Sequence, residues 1–177
     1  SMPIWNLAEP IMEALVDEVK ESCSAAVLEG TDIIYVLRVP THKIMSISLG
    51  VGSRLPAYCT SLGRVLLAGL PDNEVLSRLQ ASDRKALTRH TLTDVNELLT
   101  KVQATRKQGW SLVNQELEEG LVSLAAPVTN REGRTVAALN ISGQANRTSA
   151  KIMQDSMLPA LLTAAKTISN LLAVKRA

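Results

Sequence analysis

The stretch LVSLAAPVTNREGRTVAALNIS, residues 121–142, decides the fold. Two β-rich runs, Leu121 to Val128 and Arg134 to Ser142, flank Thr129-Asn130-Arg131-Glu132-Gly133. A short polar segment ending in glycine between two such runs marks a β-hairpin, so an antiparallel strand pair is built into the last third of the chain. Side chains alternate across a strand, which puts Asn140 and Ser142 on one face and Leu139 and Ile141 on the other. In the first run Leu121, Ser123 and Ala125 share a face. Small polar groups on an otherwise apolar sheet suit a pocket that orients a small ligand through a few hydrogen bonds. The same face equally suits solvent or another subunit.

Outward from the hairpin, the chain alternates helices with short strands. A helix is expected from Thr93 or Asp94 to Gly109, with Leu98, Val102 and Thr105 on its apolar stripe. Upstream, Asp72 is expected to cap a helix, and Thr60-Ser61 offer a hydroxyl cap to a short buried helix over Leu62 to Ala68. Three β-rich runs precede these, Ala25 to Leu28, Ile33 to Val39 and Ile44 to Val51, parted by Gly30-Thr31-Asp32 and by Pro40-Thr41-His42-Lys43, with Gly52 to Pro56 as a turn. The chain opens on an amphipathic helix over residues 4–22, whose stripe is Leu7, Ile11, Leu15 and Val19. It closes on a helix from Ser149 to Val174, in which Pro159 is expected to kink the helix or start a new segment. This layout predicts an α+β fold with one mostly antiparallel sheet.

At 177 residues the chain suits one domain. Ser1 and Met2 are read as a tag remnant, leaving 3–177 as the domain. Apolar residues make up 46% and aromatic residues 2%, with no Phe, so Leu, Val, Ile and Ala must fill the core and few rings are left to stack bases. The net charge of +2 is dispersed. Arg84, Lys85, Arg89 and His90 form the densest basic run, read as a solvated helix face or turn rather than a nucleic-acid surface. Cys23 and Cys59 lack CxxC spacing, which argues against a disulfide framework or zinc site and fits a reducing cytosol. No uninterrupted apolar run reaches the roughly 18 residues of a membrane span.

Nothing assembles a catalytic constellation. His42 and His90 are read as surface histidines outside any Ser-His or Cys-His signature, and no phosphate loop, dinucleotide turn or metal-binding helix occurs. Glu116, Glu118 and Glu119 are read as a solvated turn before Gly120. A small hydrolase or isomerase using Ser61 or Cys59 as nucleophile would lack a base. What remains is binding. Cys59 to Arg64 combine a hydroxyl cap, unpaired N–H groups and the positive end of a helix, which favour an anion, although an ordinary N-cap has the same residues. Arg54 is a further candidate charge partner, or a surface or subunit contact.

Gly52-Ser53-Arg54-Leu55-Pro56-Ala57-Tyr58-Cys59-Thr60-Ser61-Leu62-Gly63-Arg64-Val65-Leu66-Leu67-Ala68, then Gly109-Trp110-Ser111 with Glu116 and Gly120, then Ala125-Ala126-Pro127-Val128 and Asn140-Ile141-Ser142-Gly143, resemble in this order the effector-binding domain of IclR-type bacterial transcription regulators. The resemblance spans nearly the whole chain, and its first block is similar to the branch controlling protocatechuate, 4-hydroxybenzoate and β-ketoadipate catabolism. It implies a GAF-like domain, a curved sheet flanked by N- and C-terminal helices and short central helices. It also implies a non-enzymatic, cofactor-free cytoplasmic sensor for a small anionic metabolite, with Ser61, Leu62, Leu121, Ser123, Asn140 and Ser142 in the pocket. Self-assembly into dimers or tetramers is implied, as is DNA contact only through a winged-helix domain that these residues do not include, with no membrane partner. Val113-Asn114-Gln115 stand where relatives often carry an acidic pair, and Leu62 replaces a common Ala, which alters the pocket's charge and volume. The alternative is an oligomerisation module without a ligand.

Overall fold

The computed structural model describes residues 2–41 and 49–175. The chain runs α1 (Met2–Val19), β1 (Ser22–Glu29), β2 (Asp32–Val39), β3 (Arg54–Pro56), α2 (Ser61–Ala68), α3 (Asp72–Ala81), α4 (Val95–Gln108), β4 (Ser111–Asn114), β5 (Leu121–Thr129), β6 (Thr135–Gln144) and α5 (Ala150–Lys175). The strands form one antiparallel sheet in the order β3-β2-β1-β6-β5-β4, curled into a half-barrel. The expected α+β layout and its hairpin, β5–β6, are those observed, and the hairpin occupies the inner part of the sheet.

Each sheet face has its own core, because alternation sends successive side chains to opposite sides. On one face Cys23, Ala25, Leu124, Ala126, Leu139 and Ile141 are buried with Met12 and Leu15 of α1 and Leu161 and Ile168 of α5. On the other, Ala26, Ile33, Tyr35, Ala125 and Ala138 are buried with Leu62 and Leu66 of α2 and Leu98 and Val102 of α4. Alanines in the middle strands let α2 lie close to the sheet. Gly63 makes that approach possible, since a methyl group there would overlap the carbonyl of Ala57.

Local signals account for most helix boundaries. Asp94 caps α4 by accepting the Glu97 N–H at 3.0 Å, and Gly109 ends it in the left-handed region at φ +87°. Several expectations need correction. The buried face of α1 is Ala8, Met12, Leu15 and Val16, leaving Leu7 exposed, because α5 and the sheet select a stripe displaced by one residue. Asp72 is the first residue of α3, not its cap; Pro71 holds the cap position, and the Asp72 carboxylate is taken by Arg106 and Gln103 of α4, each at 2.8 Å. Of the run expected as the third strand, Ile44 to Val51, positions 44–48 lie outside the described residues and 49–51 are not in a strand; the third strand among the described residues lies further on. It is β3, in the segment expected as a turn: the turn is completed at Gly52 and Ser53, hydrogen-bonded to Tyr35, so that the chain already pairs Leu55 with Ile33. Pro56, without an N–H, is tolerated because β3 is an edge of the sheet among the described residues. The four-residue β4, too short for a periodic signal, forms the other edge. Finally, α5 runs through Pro159 as one helix, so Pro159 starts no new segment. By length and composition α5 could cross a membrane, with a mean hydropathy of 1.4. Its apolarity has a use in the fold, since Met153, Leu161, Ala164, Ala165 and Ile168 pack in the first core.

Candidate ligand-binding site

The β5–β6 register sets Ser123 opposite Ser142, with Asn140 two residues along the same face. Asn140 is oriented from the neighbouring strand: its Oδ1 accepts the Ser24 N–H at 2.9 Å, which leaves Nδ2 to donate to Ser142 Oγ at 3.1 Å and Ser123 Oγ at 3.3 Å. From the opposite wall, Ser61 at the start of α2 meets Ser123 Oγ at 2.5 Å. Four residues from three separate stretches of the sequence thus form one neutral hydrogen-bonding cluster. Thr60 acts as cap, accepting the Gly63 N–H at 3.1 Å and donating to the Pro56 carbonyl at 2.8 Å. The first-turn N–H groups of Ser61 and Leu62 have no acceptor within the helix.

The cluster lines an inner chamber of about 30 Å³, walled otherwise by Leu62, Ile33, Cys59 and Val113. That volume holds about one water molecule. Past Tyr35, Leu55, Leu117, Leu121 and Ser142, which line both spaces, the chamber widens into a vestibule of about 580 Å³, within the size range of small-molecule sites. The structure brings Ser61, Leu62, Leu121, Ser123, Asn140 and Ser142 around one cavity. Arg54 is not among the residues that line it. Leu55 turns inward, so by alternation Arg54 turns out, where it binds Glu29 at 2.7 Å and Asp32 at 3.2 Å; those carboxylates, Glu29 foremost, raise its pKa.

Three groups escaped the sequence reading. The first is Glu116, expected in a solvated turn but buried, with its carboxylate on Arg64 at 2.6 and 2.8 Å and accepting the Leu92 N–H at 3.0 Å. The second is Arg84, which donates to the carbonyls of Thr93 at 2.8 Å, Ser82 at 3.2 Å and Leu79, stapling the irregular segment before α4; Lys85, Arg89 and His90 are exposed, as expected. The third is Arg38. The β1–β2 register slips between Ala25 and Ala26, inserting Val36 as an extra residue of β2. Strict alternation would set Arg38 opposite to Tyr35; the bulge returns it to the same face, 6.0 Å from the Tyr35 ring and on the vestibule wall.

Cys59 faces the chamber, and burial pushes its thiol from 9.0 up to about 12, which keeps it protonated and non-nucleophilic at neutral pH. No group of His, Cys, Asp and Glu among the described residues is placed to hold a metal. The domain model for the C-terminal part of bacterial transcriptional regulator IclR matches residues 1–170. The Pca regulon regulatory protein of Pseudomonas putida is 40% identical over 171 residues, covering 96% of this chain and 59% of that protein. Among solved structures, one described as a transcriptional regulator of Rhodococcus sp. RHA1 superposes with a TM-score of 0.92 at 45% identity, over 96% of this chain and 69% of that one. The inducer-binding domain of the Acinetobacter transcription factor PobR, solved as a double mutant with 3-hydroxybenzoic acid, superposes with a TM-score of 0.87 at 31% identity, over 94% and 97%. The chain spans less than two thirds of the length of its first curated relatives, which are named as regulators rather than enzymes. With the family model covering almost every residue of the chain, this protein belongs to the IclR family of bacterial transcriptional regulators, whose C-terminal domain it matches.

Proposed function

We propose that residues 3–177 are the effector-sensing domain of a cytoplasmic IclR-type regulator. It binds a small carboxylate, an aromatic acid or a β-ketoadipate-pathway metabolite, and occupancy is passed through a dimer or tetramer to winged helices that contact DNA. The observation that carries this reading is the Ser61, Ser123, Asn140 and Ser142 cluster at the closed end of an apolar-walled cavity. Such a cluster supplies a few directional hydrogen bonds, while Tyr35, Leu55, Leu117 and Leu121 supply apolar surface for a ring. Control of DNA binding then requires that the ligand favour one arrangement of the assembly over another.

Calorimetric titration and thermal unfolding with benzoate, 4-hydroxybenzoate, protocatechuate and β-ketoadipate test the reading. At a hundredfold excess over Kd, binding stabilises the native state by about 2.7 kcal/mol, a clear rise in Tm. A well-folded sample that responds to none of these acids removes the ligand class. The closeness of Ser61 to Ser123, which leaves the inner chamber at about 30 Å³, favours in that event the second reading, an assembly module that binds nothing. The chain alone is expected to show no operator affinity in gel shifts; tight binding that resists salt would contradict the assignment of DNA contact to winged helices.

A further inference from the structure

We propose that Glu21 is the positioning residue through which occupancy of the cavity reaches α1: the turn of residues 144–148 forms cavity wall on one side and holds the Glu21 carboxylate on the other. This rests on the sensing reading above, whichever acid is bound, and goes beyond it by naming the route of the signal. Gln144 and Asn146 line the vestibule. On the turn's other side, Thr148 Oγ1 donates to Glu21 Oε2 at 2.9 Å and Arg147 Nη2 donates to Oε1 at 3.3 Å. The turn is closed by the N–H groups of Arg147 and Thr148, both on the Gln144 carbonyl at 2.9 Å, so its two sides move as one piece. The Glu21 side chain is 1% exposed and its carboxylate lies over Gly143, where a Cβ would come within 2.9 Å of Oε2. Gly143 follows Ser142, which lines the inner chamber.

Glu21 stands just beyond the end of α1 at Val19. Between them Lys20 has φ +62°, a left-handed conformation that costs energy for a residue with a Cβ. The Lys20 N–H still donates to the Val16 carbonyl at 2.8 Å, as in a helix, so the chain leaves α1 abruptly at Lys20 and enters β1, whose Ser22 pairs with Ser142. A strained conformer of this kind persists where its surroundings over-determine it, and the grip on Glu21 is such a constraint. Released from it, Lys20 can return to the right-handed region and lengthen α1, which re-aims the helix against the sheet. The junction therefore has two arrangements, and a ligand that fixes Gln144 and Asn146 favours the gripped one. Because the family's domain is C-terminal, the winged helices of the proposed regulator join it ahead of α1, and the direction of α1 is what they sense.

The test is hydrogen exchange on the chain, free and with benzoate, 4-hydroxybenzoate, protocatechuate or β-ketoadipate at a hundred times the calorimetric Kd. In wild type, an acid that binds is expected to slow exchange at residues 16–21 at least fivefold more than in α3, which packs on α4 away from the turn. Glu21→Ala should cut that difference to less than twofold and, because coupling is reciprocal, weaken the acid about fivefold. Glu21→Gln, which can still accept the Thr148 hydroxyl, should keep most of the difference; this rescue separates positioning from a general loss of packing. Thr148→Val should fall between, and serves if the alanine variant does not fold. The same ligand-induced difference in wild type, Glu21→Ala and Thr148→Val overturns the role of Glu21 and leaves the sensing reading standing. Equal slowing of α1 and α3 in wild type overturns the route through α1. Failure of folded wild type to bind any of the four acids removes the sensing reading and this one with it.

Discussion

Glu116 and Arg64 stand 52 positions apart, yet their side chains are 11% and 3% exposed and meet in a two-pronged contact. Arg64 also donates to the Tyr58 carbonyl at 3.1 Å, and the main chain of Glu116 accepts the Thr91 hydroxyl at 2.6 Å. One ion pair thereby ties the helix entering the site to the loop that carries Leu117, Glu118 and Glu119 on the vestibule wall. Removing one partner of a buried pair strands the other charge in a poorly solvated place, which costs about 3–5 kcal/mol. Glu116→Ala is accordingly expected to lower Tm by roughly 10 °C in thermal unfolding followed by circular dichroism. Replacing both partners with apolar residues, Arg64→Met with Glu116→Leu, should recover most of that loss. Recovery absent in the double variant would mean that the pair holds the loop by directional bonds rather than by mutual neutralisation. A charge run before a glycine is a fair description of a solvated turn, and only the partner across the fold makes Glu116 different from Glu118 and Glu119.

At the level of elements, α5 shows where a local rule and the tertiary outcome part. Proline inside a helix lacks the N–H that would bond to the carbonyl four residues back, here that of Asp155, and its ring crowds that turn. The helix nevertheless continues to Lys175, because the residues on either side of Pro159, Met153 and Leu161 among them, are held in the same core. Packing outweighs the local penalty without abolishing it. Since Pro159 is itself exposed, Pro159→Ala should stabilise the protein by about 1–3 kcal/mol, read as a rise in Tm of several degrees. An unchanged Tm would show that the turn carries no residual strain. The bulge in β2 is the converse case, an element whose irregularity has a use: one extra residue at Val36 moves Arg38 from the face covered by α1 and α5 to the cavity. Nothing local marks that position, since Tyr-Val-Leu-Arg is an ordinary strand sequence and the slip arises from pairing with β1.

For the whole molecule, burial of two free thiols sets a limit at alkaline pH. Cys23 and Cys59 are both 0% exposed, and desolvation raises both pKa values above the ordinary 9.0, that of Cys59 to about 12. The native state therefore keeps its thiol protons where the unfolded chain gives them up. Folded pKa values above the unfolded ones mean that stability is fully present below pH 9 and falls as pH rises beyond it, by roughly 1 kcal/mol per thiol per pH unit. Urea unfolding at pH 8 and pH 10 should show this drop, and a Cys23→Ser, Cys59→Ser variant should show much less of it; equal slopes would trace the loss to other groups. Iodoacetamide at pH 8 should modify neither thiol until denaturant is added. The sequence by itself determined the hairpin, the limits of α4, the Thr60 cap and the alternation that gathers Ser123, Asn140 and Ser142 on one strand face, because each depends on residues within a turn or two of one another. Only the tertiary structure decided which stripe of α1 is buried, that Arg54 to Pro56 pair as a strand instead of closing a turn, that Glu116 pairs with Arg64, and that Arg38 rather than Arg54 faces the cavity. Those outcomes depend on strand register and on helix packing across the sheet, where the free energy comes from contacts between segments dozens of residues apart and no local pattern carries it.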